Sequence, residues 1–395
     1  LSSSTRPNLT FTLLWAAQFV LLLASQGSAI AVTLTVYAVS RSATVLGLMM
    51  AITYGTMIYL SPLIGTWLDR YSRKTGIMLA DSTIALSSAG LAIAAFVEAG
   101  LPIVLVLVFI HSCGMSAQQL SLQATVREIR TEKNLTTVAS AVALVDNIPL
   151  FVGPLIGALV YTLVSAVALF ALEAVVATIV VIVVALLPFP PTHRRKAPTA
   201  AIEGFRFILT QPELRKIQAS FGVVNFTHGL AVPALLAVVI STESTWPESF
   251  RLSVYNIANA AGLILGAATM LWVARRLPRP VIVVAGIVGG AVCGRLVVPL
   301  VVGIFPLVVL VSFLRNVCTQ WANTPLTAFW QERTPTSIQG SVFGARRFLG
   351  QGAYPLALLV GGWCAKNGGL STLFIVCAVV ELAIAACVWR SKILQ

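Results

Sequence analysis

Apolar runs of about 20 residues recur along this chain from one end to the other, each long enough to cross a hydrocarbon layer of roughly 30 Å as a helix. ALEAVVATIVVIVVALL (from Ala171) carries a single acid in seventeen residues. The runs are continuous rather than alternating, so they read as helices and not as strands of a barrel. Of the 395 residues, 58% are hydrophobic and only 10% charged, with a mean hydropathy of +0.92. A water-soluble fold of that size has no charged skin to make from such a chain. The expected fold class is an all-α membrane protein with twelve transmembrane helices. They fall near 11–38, 44–68, 76–97, 102–126, 136–161, 164–188, 213–239, 250–273, 280–300, 305–330, 338–363 and 369–389.

The charges give these spans a direction. Lys and Arg number 26 against 13 acids, a net charge of +13. In one set of loops and tails only Arg41, Arg251 and Lys366 occur, Arg295 and Arg315 lie inside spans, and all the others fall in the opposite set. Cytoplasmic loops collect basic residues, so both termini are expected in the cytoplasm. The basic balance is thus an orientation signal, and no aromatic-interleaved basic face suggests nucleic-acid binding. Seven of the eight tryptophans sit near span ends, as interfacial rings do; Trp321 is the exception. The first run lacks the pattern of a cleaved signal peptide and is expected to stay in the protein. Cys113, Cys293, Cys318, Cys364, Cys377 and Cys387 occur singly, without metal-ligand spacing, so no metal, cofactor or disulfide framework is expected.

Two halves are legible. The stretch HSCGMSAQQLSLQATVREIRT (from His111) aligns with RNVCTQWANTPLTAFWQERTP (from Arg315) at an offset of 204, and VGPLIGALV (from Val152) with AYPLALLVG (from Ala353) at 201. Residues 1–188 and 213–395 are therefore expected as two six-helix bundles. Between them, 189–212 forms a cytoplasmic linker, with a short amphipathic helix over Ala200–Leu209.

Charges inside spans are costly and tend to be functional. Asp146 in span 5 and Glu173 in span 6 are the expected proton carriers, with His111 as a further candidate. Desolvation favours a neutral carboxyl, and access to water on alternate sides would let it load and release a proton. Arg315 keeps its charge and needs an acid or an anionic ligand. Arg295 is expected to pair structurally or to snorkel. Asp81 and Glu381 read as lying nearer the cytoplasmic ends of their spans. Polar side chains gather on spans 1, 4, 7 and 10. Gln18, Gln26, Gln118, Gln119, Asn225, His228, Asn256, Asn316, Gln320 and Trp321 are candidates for a substrate cavity, with Phe19, Tyr37, Phe226 and Tyr255 as aromatic neighbours. Spans 3, 6, 9 and 12, almost wholly aliphatic, read as lipid-facing supports. The acids are scattered and no nucleophile cluster or ATP-binding Gly-rich loop occurs, which argues against an enzyme or an ATP-driven pump.

GTWLDRYSRK (from Gly65) crowds one acid and three bases between spans 2 and 3. With twelve spans and a 6+6 repeat, it resembles the loop signature of the major facilitator superfamily, here Gly65, Asp69, Arg70, Arg73 and Lys74. That resemblance implies a cytoplasmic gate in which the acid meets the start of span 11 near Arg346. DNIPLFVGPLIGALV (from Asp146) is similar to a helix 5 signature of exporters in that superfamily, carried by Gly153, Pro154 and Gly157. ATVREIRTEKNLTTVASA and FWQERTPTSIQGSVFGARR are similar to its proton-coupled efflux branch, which includes macrolide-efflux and enterobactin-exporting proteins. The resemblance implies a monomeric secondary transporter of the bacterial inner membrane, with a small-molecule substrate, protons and the lipid bilayer as its partners. It would export an amphipathic solute such as a drug, a macrolide or a siderophore; import of a siderophore by the same fold is the alternative. One departure stands out. Many drug antiporters of the family carry an arginine in span 4, where this chain has His111; its arginine is Arg315 in the matched span 10.

Overall fold

A computed structural model describes residues 6–60, 63–64, 72–129, 135–189, 201–242, 245–335, 338–367 and 369–391; the side chains of 6–11, 123–124, 126–129, 135–147, 150, 201, 271 and 339–340 fall outside that description. The helices are α1 (Arg6–Ser40), α2 (Ala43–Gly55, continued by a π-helical turn, Thr56–Leu60), α3 (Arg73–Phe96), α4 (Leu101–Ile129), α5 (Leu135–Leu163), α6 (Ala166–Leu186), α7 (Ala201–Thr210) and α8 (Pro212–Ser241). After them come α9 (Glu248–Val273), α10 (Arg279–Ala291, then a π-helical turn Val292–Leu296 and a last turn Val298–Val301), α11 (Phe305–Arg333), α12 (Gln339–Gln351), α13 (Tyr354–Asn367) and α14 (Leu370–Ser391). Ten described helices are long and apolar enough to cross a membrane, and Phe151–Leu163 of α5 adds a shorter apolar stretch. The architecture is the all-helical one that the apolar runs predict. The eleventh span is broken, however: α12 ends at Gln351, and α13 starts at Tyr354 just before Pro355, whose ring disfavours a helical residue ahead of it.

Local chemistry sets the helix ends. Ser72 and Ser165 cap α3 and α6, accepting from the backbone N–H of Thr75 at 3.2 Å and Ala168 at 3.1 Å. Prolines stand in the first turns of α8, α10 and α11, where a missing N–H costs nothing. Two cations hold C-terminal carbonyls. Lys74 Nζ donates to Ala185 O (2.6 Å) and Leu187 O (3.0 Å) at the end of α6. Arg251 donates to Trp246 O at 2.7 Å and Val239 O at 3.2 Å, and also to Ile240 O, closing α8 against the start of α9. Arg251, counted above as a loop cation, is thus a buried helix clamp.

The chain divides into two compact units, Leu1–Arg41 with Gly55–Ala197, and Ser42–Tyr54 with Pro198–Gln395. In the first unit α1 packs on α5 and α6, and α3 on α4 and α6. The second unit repeats this: α8 packs on α13 and α14, and α10 on α11 and α14. The first core joins Leu14, Leu21, Ile77, Ile84, Leu122 and Val184; the second joins Ile208, Phe221, Ile287, Leu326, Phe329 and Trp330. Outward-facing Leu86, Phe96, Leu186 and Leu300 are each at least three-quarters exposed, as lipid-facing side chains would be. The short helix α7 is tied to α12 by the Gly204 N–H, which donates to Ser341 Oγ at 2.9 Å, and by the Phe205–Phe348 ring contact.

In a bilayer, helices gain little from hiding apolar surface from one another, so close backbone approach decides their packing. Glycines supply it. A Cβ on Gly157 of α5 would lie 2.6 Å from Gly27 Cα of α1, and one on Gly361 of α13 would lie 2.0 Å from Leu230 O of α8. Ser42–Tyr54 joins the second unit for the same reason, since a Cβ on Gly47 would meet Leu358 O at 2.3 Å, and Thr44 Oγ1 donates to Gly362 O at 3.0 Å. Gly157→Ala is therefore expected to destabilise the protein by about 1–3 kcal/mol, because the contact is backbone that cannot rotate away. Gly290→Ala, whose Cβ meets nothing within 4 Å, serves as the neutral control. Thermal unfolding in detergent compares them.

Candidate functional site

Four of the charges buried in the described spans lie on α3, α6, α10 and α14, the helices read from sequence as plain lipid-facing supports: Asp81, Glu173, Arg295 and Glu381. Their outer faces are aliphatic, and each turns one charge inward. The inward charges organise each unit around a polar node.

In the first unit Glu173, wholly buried, accepts a hydrogen bond from Ser88 Oγ at 2.9 Å on one carboxylate oxygen. Its other oxygen lies 3.0 Å from His111 Nε2. A wholly buried carboxylate must be neutralised or paired, and the imidazole beside it can do either. The pair has no net charge whether the proton sits on histidine or on glutamate. Two helical turns along, Asp81 forms a second network. Gln18 Nε2 donates to one of its oxygens at 2.8 Å, and Gln118 Nε2 donates to the other at 3.1 Å and to Gln18 Oε1 at 2.7 Å. Asp81 and Ser88 on α3, and His111 and Gln118 on α4, are each seven residues apart. That spacing puts both networks on one face of each helix, roughly 10 Å from each other along the axis. Asp81 lies nearer the start of α3 than its end, and it is fully buried, with the two glutamines replacing its hydration.

The second unit has a matched node with different charges. Glu381 accepts from Thr227 Oγ1 at 2.7 Å and pairs with Arg295 Nη2 at 3.1 Å. Arg295 sits in the π-helical turn of α10, where i→i+5 bonding redirects the side chains that follow. Arg315 Nη1 lies 2.7 Å from His228 Nδ1, and its Nη2 donates to Asn316 Oδ1 at 3.3 Å. Asn316 in turn donates to Asn259 Oδ1 at 2.6 Å and to Ser312 O at 2.9 Å. His228 Nδ1 faces guanidinium donors, so it accepts and the ring is neutral. The 204-residue offset matches His111 to Arg315; at nearly the same offset Ser88 matches Arg295 and Glu173 matches Glu381. The repeat was visible in sequence, but the pairing of Glu381 with Arg295 was not drawn from it.

The other candidates spread out. Gln26 lies against Gly153 of α5, Asn225 Nδ2 donates to Gly350 O at 3.0 Å, and Trp321 Nε1 donates to Thr269 Oγ1 at 3.0 Å. Asn256 and Gln320 are half-buried, and Gln119 is exposed. Arg346 lies over the rings of Trp330 and Phe343. Lys74 holds the end of α6 and Arg73 opens α3. Pro154 lies within α5 between the packed glycines. Gly65, Asp69 and Arg70 lie outside the described residues, and so does the side chain of Asp146 on α5. Among the described residues no three of His, Cys, Asp and Glu gather as a metal site requires.

A family model described as Major Facilitator Superfamily matches residues 14–358. The chain is 23% identical to macrolide efflux protein A of Streptococcus pyogenes, covering 95% of this chain and 94% of that one. It is likewise 23% identical to macrolide efflux protein A of Enterococcus faecalis, covering 75% and 94%. Among solved structures it resembles the nucleoside transporter NupG (TM-score 0.77, 14% identity, 97% and 99% of the two chains) and a bacterial homologue of the iron transporter ferroportin in an inward-facing state (0.76, 14%, 97% and 99%). A POT family transporter in complex with 5-aminolevulinic acid is similar too (0.77, 12%, 97% and 96%). At these identities the structural likenesses speak to fold.

The two nodes differ in what they tolerate. Glu381→Gln leaves two guanidiniums facing each other without a carboxylate, and is expected to cost about 3–5 kcal/mol. Glu173→Gln is expected to cost less, because His111 can shed its proton. Unfolding of both variants in one detergent, against the parent, tests the order.

Proposed function

This chain belongs to the Major Facilitator Superfamily, and on that premise we propose that it is a secondary exporter, moving an amphipathic organic solute outward by alternating access in exchange for protons. It is a multi-pass membrane protein and a transporter rather than an enzyme. Its relatives named as macrolide efflux proteins favour efflux of a drug-like solute, with siderophores in the same size range. The loop charges favour cytoplasmic termini in a bacterial inner membrane, and the protein is taken to work as a monomer.

The observation that carries the proton part is the buried Glu173–His111 pair. With one proton between them the pair is neutral and can stay in a dry bundle. A second proton makes it cationic, and loss of the first makes it anionic; either state is costly without water. Protonation therefore biases the protein toward conformations that hydrate the pair, and the solute biases the same equilibrium through its own contacts. Asp81, two turns along α3 and partnered by amides alone, is a second stop for a proton on the same helix faces. Asp146 on α5 remains a candidate carrier.

Proteoliposomes with an imposed pH gradient test this. Glu173→Gln is expected to abolish gradient-driven solute transport while solute binding persists; Asp146→Asn is expected to do the same if that acid carries the proton. Gradient-driven transport at the parent rate in Glu173→Gln would remove the pair from the mechanism. Deleting the gene separates export from import: loss of an exporter raises the solute inside the cell, and loss of an importer lowers it.

A further inference from the structure

The charge count of the second unit's node does not balance. Arg295 and Arg315 bring two positive charges that cannot be shed. Glu381 brings one negative charge, and His228 is neutral because its Nδ1 accepts from the guanidinium side. Among the described residues Arg315 pairs with no carboxylate; its partners are His228 and Asn316, and its Nε is buried without a hydrogen-bond partner. Arg295 Nε is in the same condition. Two other acids of this unit, Glu332 and Glu213, are taken up by Arg279 and Arg333 at an exposed end. One uncompensated positive charge remains in a membrane-spanning bundle, where such a charge is costly unless something negative meets it.

The site is also built around that arginine. A Cβ on Gly294 would lie 2.2 Å from Arg315 Cδ, so the arginine stem rests in the space that a glycine leaves in the π-helical turn. Asn316 is oriented by Asn259 and Ser312, and presents its oxygen to Arg315. The Tyr354 ring lies 5.9 Å from His228 and 5.1 Å from Tyr54, which puts aromatic surface beside the charge. The matched node of the first unit has serine and histidine where this one has two arginines, and it carries no such surplus.

We propose that Arg315, with Arg295 behind it and His228 bracing it, binds the carboxylate or comparable compact anionic group of the solute, so that the cargo is an amphipathic organic acid. A planar guanidinium with free N–H groups matches a carboxylate's two oxygens, and the tyrosines take the apolar body. The first unit then handles the proton and the second the anion. A cationic solute is disfavoured at this node by the same surplus charge. This assignment rests on the transporter reading above and names the class of its solute.

Equilibrium binding to the purified full-length chain in detergent, in a low-chloride HEPES buffer free of carboxylates, tests it. The probes are salicylate, 2,3-dihydroxybenzoate, octanoate and deoxycholate, each beside its methyl ester, with sodium chloride as a separate arm. At least one acid is expected to bind at least tenfold more tightly than its ester. Arg315→Gln should lose that preference, Arg315→Lys should recover part of it, and Gly294→Ala should weaken it by displacing the arginine stem. Arg279→Gln, a change at the exposed pair, should leave it intact. Acids binding no better than their esters, or a preference that survives Arg315→Gln, overturns the proposal. So does chloride at equal concentration matching every acid, which would make the node an inorganic-anion site. Proteoliposome transport keeps the two readings apart. Gradient-driven export of neutral or cationic solutes without acid binding sinks the anion site alone. Acid binding without any gradient-driven movement sinks proton-coupled export alone.

Discussion

The ion pair between Glu381 and Arg295 is the contact on which the second unit's interior depends. Without that carboxylate, Arg295 and Arg315 would face each other across a medium that screens them poorly. With it, one arginine is satisfied, and the other is left to be braced by a neutral histidine and an asparagine. Glycine contacts make the arrangement possible. Gly262 and Gly266 bring α9 against α11, Gly286 brings α10 against α11, and Gly294 clears space for the arginine stem. Close backbone approach and buried charge are thus one design: helices that touch bury Glu381 and Arg295, and buried charges demand matched polar partners.

The two units show how one scaffold diverges. Their helices pair in the same pattern, and each buries an acid from its last helix: Glu173 meets Ser88 and His111 of the third and fourth, while Glu381 meets Arg295 of the third and Thr227 of the first. In one unit the base is a histidine that can change charge; in the other it is an arginine that cannot. Arg315 stands where the first unit has His111, and Arg295 where it has Ser88, so the same scaffold holds a fixed positive charge in one unit and a base that can change charge in the other.

Much of this was legible before any coordinates. Runs such as the one from Ala171 could only be spans, because no soluble fold hides them, and the linker helix was foreseen within a residue. The broken eleventh span was not: the expected span 338–363 runs through Gly352 and Pro355 without a break. The partners of Asp81 and Glu381 were not legible for a physical reason. Distance from a span end gives depth along the axis and says nothing about which neighbouring amides or guanidiniums replace water. The supports misled in the same way, because one inward charge among twenty aliphatic residues barely alters a composition. The repeat that matches His111 to Arg315 held the missing signal: carried to spans 6 and 12 with a shift of four residues, it pairs Glu173 with Glu381 and points to a second node.

The π-helical turn at Val292–Leu296 carries one more consequence. Its wide loop, closed by the Val297 N–H donating to Val292 O at 3.0 Å, accommodates one residue beyond the regular helical count. Residues after it are rotated by about 100° from where an uninterrupted helix would put them. Whether an arginine in this stretch meets Glu381 or the lipid is therefore governed by chain length here as much as by side-chain identity. A lineage losing the codon for Ala291, Val292 or Cys293 would keep every amino acid type in the node, yet it would dismantle the node as surely as a change of charge.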